Sequence, residues 1–198
     1  MQNTAPTQQS TKDSLMIWEQ VNEDRKKLKV AHYKNAFPEA VNDINFTTLV
    51  EVNQYKSTVT NVDEFVKGST HISDIGSDKR IQKYLLEFQK HYDRHETEAH
   101  FNASLFFSLS DGHNSLFLHN DYETVLLIQG YGETAYLVTD GETMNKQIYH
   151  CKTGDALLLP RLTNHKPLIL GPRVTLSLGA NPLKAMTNKN FGPVNSTM

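Results

Sequence analysis

From residue 99 the chain alternates. Ala99, Phe101, Ala103, Leu105, Phe107 and Leu109 interleave with His100, Asn102, Ser104, Phe106, Ser108 and Ser110. Successive side chains of a strand point to opposite faces, so this period of two predicts a β-strand with one apolar face. After the turn-forming Asp111-Gly112-His113-Asn114, short apolar runs follow at residues 115–121, 124–129, 133–139, 146–150, 155–160, 166–170 and 173–179, divided by glycine-rich or polar turns. Seven or eight short strands within about 80 residues predict a mainly β fold, an all-β barrel or jelly roll.

Upstream the period changes to that of helices. Leu15, Trp18, Val21 and Leu28 recur at roughly helical spacing and predict a first helix. A clearer one follows Gly76, with Ser77 placed to cap it and Ile81, Tyr84, Leu85, Phe88 and Tyr92 forming a buried stripe. Residues 28–38 predict a short extended segment closed by Pro38, which disfavours helix in the residue before it. Residues 39–70 are ambiguous, with an apolar cluster at 47–52 and a candidate helix near 62–66. The expected organisation is a disordered arm over 1–12, a helical and mixed region over 13–98 packing on the barrel, the barrel core over 99–181, and a tail or strap over 182–198.

Composition narrows the function classes. With 20 basic and 22 acidic residues the net charge is −2, which gives no electrostatic footprint for nucleic acid or a membrane surface, and neither is expected as a partner. Cys151 is the single cysteine, so no intrachain disulfide exists and a disulfide-built secreted domain is excluded. The polar first residues lack an apolar signal segment, and no run approaches the roughly 20 apolar residues that span a bilayer. A cytoplasmic protein is expected.

Two fragments carry the chemistry. His119-Asn120-Asp121 puts an imidazole and a carboxylate two residues apart, on one face if the segment is a strand, with Ser115 and Phe117 on that face and Leu116 and Leu118 on the other. Gly154-Asp155, the apolar residues 156–159 and Pro160 lead to a second imidazole, His165. Two histidines and one carboxylate on one face, with open coordination positions, form the facial triad of non-haem Fe(II) oxygenases. A second His-x-Asp, His91-Tyr92-Asp93, falls at a helix end, where positions i and i+2 do not face each other, and reads as surface.

Both fragments resemble the two motifs of the cupins, the double-stranded β-helix proteins. Glu123 and Gly130 enclose six residues as in the first motif, and Gly154, Pro160 and His165 follow the spacing of the second. Departures are visible: Asp121 replaces the usual second histidine, Leu162 stands where glycine is common and Ile169 where asparagine is. His-x-Asp with a distal histidine resembles the Fe(II)/2-oxoglutarate oxygenases, and residues 119–138 with 154–165 resemble their JmjC-related cupin-like hydroxylases.

The resemblance implies a double-stranded β-helix with flanking N-terminal helices, and an iron held by His119, Asp121 and His165. It implies 2-oxoglutarate as cosubstrate, O2 as co-reactant, and hydroxylation of a small-molecule or peptide substrate. Those hydroxylases carry a lysine or arginine after the Gly-x-Gly turn to hold the cosubstrate's distal carboxylate; here Glu133, Thr134 and Ala135 stand there. Arg173 and Thr175, basic and hydroxyl groups on one strand face, are the expected substitute, the guanidinium binding the carboxylate bidentately and the hydroxyl donating a hydrogen bond to it. Asn102 is expected to line the cavity. Tyr122, Tyr131 and Tyr136 are candidate ligand contacts, and Glu123 neighbours the triad without completing it. Dimerisation is common in such barrels. The alternative is a metal-binding cupin that does not use 2-oxoglutarate: another dioxygenase, an isomerase or a small-ligand-binding module.

Overall fold

A computed structural model describes residues 8–56, 69–92, 99–110, 117–139 and 145–182. Its elements in chain order are α1 (Gln8–Lys26), β1 (Ala31–Tyr33), α2 (Ala40–Asp43), α3 (Phe46–Lys56), β2 (Ser69–Ile72), α4 (Lys79–His91), β3 (Ala99–Ser108), β4 (Thr124–Tyr131), β5 (Glu133–Thr139), β6 (Lys146–Lys152), β7 (Ala156–Leu159), β8 (Asn164–Ile169) and β9 (Arg173–Pro182). Two antiparallel sheets face each other, one ordered β1-β7-β4-β9-β3-β2 and the other β6-β5-β8.

The alternation along β3 sorts its side chains as the sequence predicts. Ala103, Leu105 and Phe107 are buried together with Val174, Leu176 and Leu178 of β9 and Leu126 and Ile128 of β4. Trp18 of α1 and Ile81, Tyr84 and Phe88 of α4 close this core from outside. Each Val, Leu, Ile or Phe among them stabilises the fold by about 1.5–3 kcal/mol when fully buried. The opposite faces of β4 and β7 build a second, smaller core, in which Val125, Leu127, Leu157 and Leu159 meet Tyr136, Val138 and Cys151 of the facing sheet. Central strands with both faces covered read as continuous apolar runs, which is why 125–128 and 156–159 show no alternation.

Several local expectations change. Helix α1 already includes residues 8–12, assigned to the arm; glutamine is a good helix former, so a polar run need not be disordered. Leu28 does not continue its stripe. It sits beyond the helix with φ 52° and 67% exposure, while the N–H groups of Leu28 and Lys29 close the end on the carbonyls of Arg25 and Asp24. Asp78, not Ser77, caps α4: its Oδ1 accepts from the Arg80 N–H at 3.0 Å. The cluster at 47–52 lies within α3. The candidate helix near 62–66 and residues 183–198 lie outside the described residues. Among the described residues no helix is long and apolar enough to cross a membrane.

Asp155 ties the layers together. Its carboxylate accepts from the Asn35 and Lys152 N–H groups at 2.7 and 3.1 Å and lies 3.0 Å from His32 Nε2. Burial alone would raise its pKa, but these bonds outweigh burial and hold it below the usual carboxylate range. A depressed carboxyl contributes stability above its unfolded pKa, about 3.9, which is lost as pH falls through the folded value. Asp155→Asn is therefore expected to lower unfolding stability by about 2 kcal/mol at pH 7, with the difference shrinking in acid. Urea titrations across pH check this.

Candidate metal centre

His119 and His165 meet through the backbone. The N–H of each donates to the carbonyl of the other, at 3.0 and 2.7 Å, in an isolated antiparallel bridge. The Leu162 N–H donates to the Asp121 carbonyl at 2.7 Å and draws the turn after Pro160 over the first fragment. That turn needs a left-handed residue, and Leu162, standing where glycine is common, adopts φ 62°.

Among the described residues 117–121 only His119 pairs, through the bridge, and no strand runs there; Ser115 and Leu116 lie outside the described residues. Phe117 is 84% and Leu118 51% exposed, so Leu118 does not face an apolar layer. Over 117–121 the predicted strand is corrected to a bridged loop at the cavity mouth. His165, by contrast, belongs to β8, opposite Val138.

Three ligand atoms converge. One donor atom each from His119, Asp121 and His165 lies within 4.8 Å of the others. His119 Nε2 is 3.8 Å from Asp121 Oδ1, and His165 Nε2 is 3.6 Å from Asp121 Oδ2, both beyond hydrogen-bond range. The tautomers are set from behind. Nδ1 of His119 lies 2.7 Å from the Phe117 carbonyl and Nδ1 of His165 lies 3.0 Å from that of Thr163. A carbonyl only accepts, so each Nδ1 carries the proton and each Nε2 turns a lone pair toward Asp121. Burial, with the neighbouring His119, pushes the His165 pKa down against the Thr163 bond and Asp121. A neutral imidazole is the form that binds a metal. The donor set fits a divalent transition ion with open positions.

From the triad a cavity of about 410 Å³ runs between the sheets to Arg173. Val125, Leu127, Tyr136 and Pro167 supply apolar wall, while Asn102, Ser104 and Ser177 supply polar wall. Asn102 lines this cavity, and its Nδ2 donates to Glu123 Oε2 at 2.7 Å. Burial raises the Glu123 pKa, helped by Asp121 and opposed by Asn102 and His100. Gly179 makes room for this pair, since a Cβ there would stand 2.5 Å from Glu123 Oε2 and 2.6 Å from Asn102 Oδ1.

Arg173, 1% exposed, occupies the far end. Its Nη1 donates to Thr175 Oγ1 at 3.1 Å, and it is hydrogen-bonded to the Tyr136 hydroxyl. Burial pushes the guanidinium pKa down, while Tyr136 works against that shift. Burial pushes the Tyr136 phenol up to about 12, so it keeps its proton. Tyr136 alone of the three candidate tyrosines lines the cavity; Tyr122 and Tyr131 are more than 40% exposed. Gln129 was missed altogether: it is 1% exposed, and its Oε1 accepts from Thr175 Oγ1 at 2.9 Å. Its only signal was its place immediately before the Gly130-Tyr131-Gly132 turn. Glu133, where a cation was sought, pairs instead with His150 at 2.7 Å near the surface.

The fold is the double-stranded β-helix of the cupins. Solved structures of the ribosomal oxygenase YcfD from Escherichia coli share it. The complex with cobalt and succinic acid matches with a TM-score of 0.63 at 13% identity over 86% of this chain and 56% of that one. The complex with cobalt and 2-oxoglutarate matches at 0.62 and 13% over the same shares. A third structure matches at 0.60 and 15% over 77% and 48%. The chain thus spans about half the length of these neighbours. No protein-family profile and no curated relative matches it.

Proposed function

We propose that this protein is an Fe(II)- and 2-oxoglutarate-dependent oxygenase that hydroxylates a small-molecule or peptide substrate. One observation carries the reading: a buried, hydrogen-bonded arginine shares a single cavity with a three-donor metal cluster. His119, Asp121 and His165 would hold the iron, leaving positions for a bidentate keto acid and O2. Iron bound there supplies the redox chemistry that couples decarboxylation of 2-oxoglutarate, to succinate and CO2, with hydroxylation of a C–H bond.

The chain's own residues bind and orient. Arg173 grips the distal carboxylate, and a guanidinium in a low-dielectric setting does this more strongly than an exposed one. Tyr136, protonated at working pH, supports the guanidinium. Val125, Leu127 and Pro167 keep water from the space between. The YcfD likeness supports the reading, since that oxygenase was solved with cobalt and 2-oxoglutarate. The alternative, a metal cupin without 2-oxoglutarate, draws on Glu133 standing where a cation was sought. Anaerobic titration of the Fe(II)-loaded protein with 2-oxoglutarate tests the reading: chelation gives a charge-transfer band, and its absence overturns it.

A further inference from the structure

Thr175 has one hydroxyl proton, and the structure fixes where it goes. Gln129 Nε2 donates to the Tyr131 carbonyl at 2.7 Å, which settles the orientation of the amide and leaves Oε1 facing Thr175. An amide oxygen only accepts, so Thr175 must donate to it. The lone pairs of Oγ1 then face Arg173 Nη1. Thr175 is therefore an acceptor for the guanidinium, and the sequence-based expectation that it donates to the ligand carboxylate changes accordingly.

Gln129 is itself held firmly. It pairs with Thr175 in the β4–β9 register, and its backbone N–H and carbonyl bond Asp155 and Gly154 at 2.9 and 2.8 Å. The strand register shifts immediately after it, between Gln129 and Tyr131, which turns the Tyr131 carbonyl back toward the amide. Gly130, in that bulge, lets the backbone of α2's end at Ile44 approach where any Cβ would collide.

We propose that Gln129 is a positioning residue for the cosubstrate: through Thr175 it sets the direction of the Arg173 guanidinium and so selects keto acids that carry a distal carboxylate. The proposal rests on Arg173 being the anchor for that carboxylate. It assigns Gln129 no contact with ligand or metal.

The test compares 2-oxoglutarate with 2-oxobutanoate, which keeps the keto acid and lacks the distal carboxylate. Both are titrated anaerobically into the Fe(II)-loaded protein, and the quantity read is the ratio of their dissociation constants. Gln129→Met and Thr175→Val are each expected to lower the preference for 2-oxoglutarate about tenfold, the effect of one hydrogen bond. Their 2-oxobutanoate affinity should stay at the wild-type value. Thr175→Ser, which keeps the hydroxyl, should restore the preference. Equal weakening for both ligands would mean a merely structural role and overturn the proposal, as would an unchanged preference in a protein where Arg173→Met loses it. If Gln129→Met does not fold, Thr175→Val and Thr175→Ser decide by the same criteria. An Arg173→Met protein that keeps the preference would instead overturn the anchor assignment beneath the proposal.

Discussion

His119→Ala is expected to abolish iron-dependent turnover and to weaken divalent-metal binding by more than about 100-fold. Losing even an outer hydrogen bond to a metal ligand costs 10–100-fold in affinity or activity, and here one of three ligands goes. The fold should survive. His119 joins β8 through its backbone N–H and carbonyl, which alanine keeps, and its side chain is 29% exposed. Calorimetric titration with Fe(II) or Mn(II), alongside thermal unfolding, separates loss of the site from loss of structure. Retained metal binding with retained iron-dependent activity would sink the ligand assignment. The second His-x-Asp serves as a control: His91 Nδ1 lies 3.0 Å from the Glu87 carbonyl at the end of α4, and Asp93 lies outside the described residues. His91→Ala should therefore leave metal affinity unchanged.

Arg173→Met is expected to raise the dissociation constant for 2-oxoglutarate about 100-fold, or about 2.8 kcal/mol, with metal affinity kept. Methionine roughly fills the volume and removes the charge, so the distal carboxylate would enter a buried space without its counter-ion. Lysine should recover only part of the loss. It restores a cation but lacks the planar fork, and Thr175 and Tyr136 are placed around a guanidinium. Binding constants for 2-oxoglutarate measured in the metal-loaded protein check both substitutions. Wild-type binding by Arg173→Met would move the cosubstrate elsewhere in the cavity.

What the sequence revealed follows from the range of each interaction. The alternation of β3 is local, so its two faces could be read directly, and the buried run of β7 ends where Pro160 predicts. The triad was legible because His119 and Asp121 are neighbours in sequence and His165 follows a recognisable frame. Its backbone setting was not: two hydrogen bonds of an isolated bridge place His119 as well as a strand would, and they leave no hydrophobic pattern. Long-range partners left no local trace either. Gln129 meets Thr175 across 46 residues and His32 meets Asp155 across 123, contacts that arise only from strand register. Arg173 was found for its charge and strand face, yet the acceptor role of Thr175 required the orientation of the Gln129 amide.

In the proposed function the triad and Arg173 together bind an iron chelated by 2-oxoglutarate. The most direct test is the anaerobic titration of the Fe(II)-loaded protein, followed by absorption. The expected result is a charge-transfer band that saturates near one equivalent of 2-oxoglutarate, disappears in His119→Ala, and needs far more ligand in Arg173→Met. A wild-type protein that binds Fe(II) yet shows neither the band nor 2-oxoglutarate binding would contradict it, and would favour a cupin whose metal serves other chemistry.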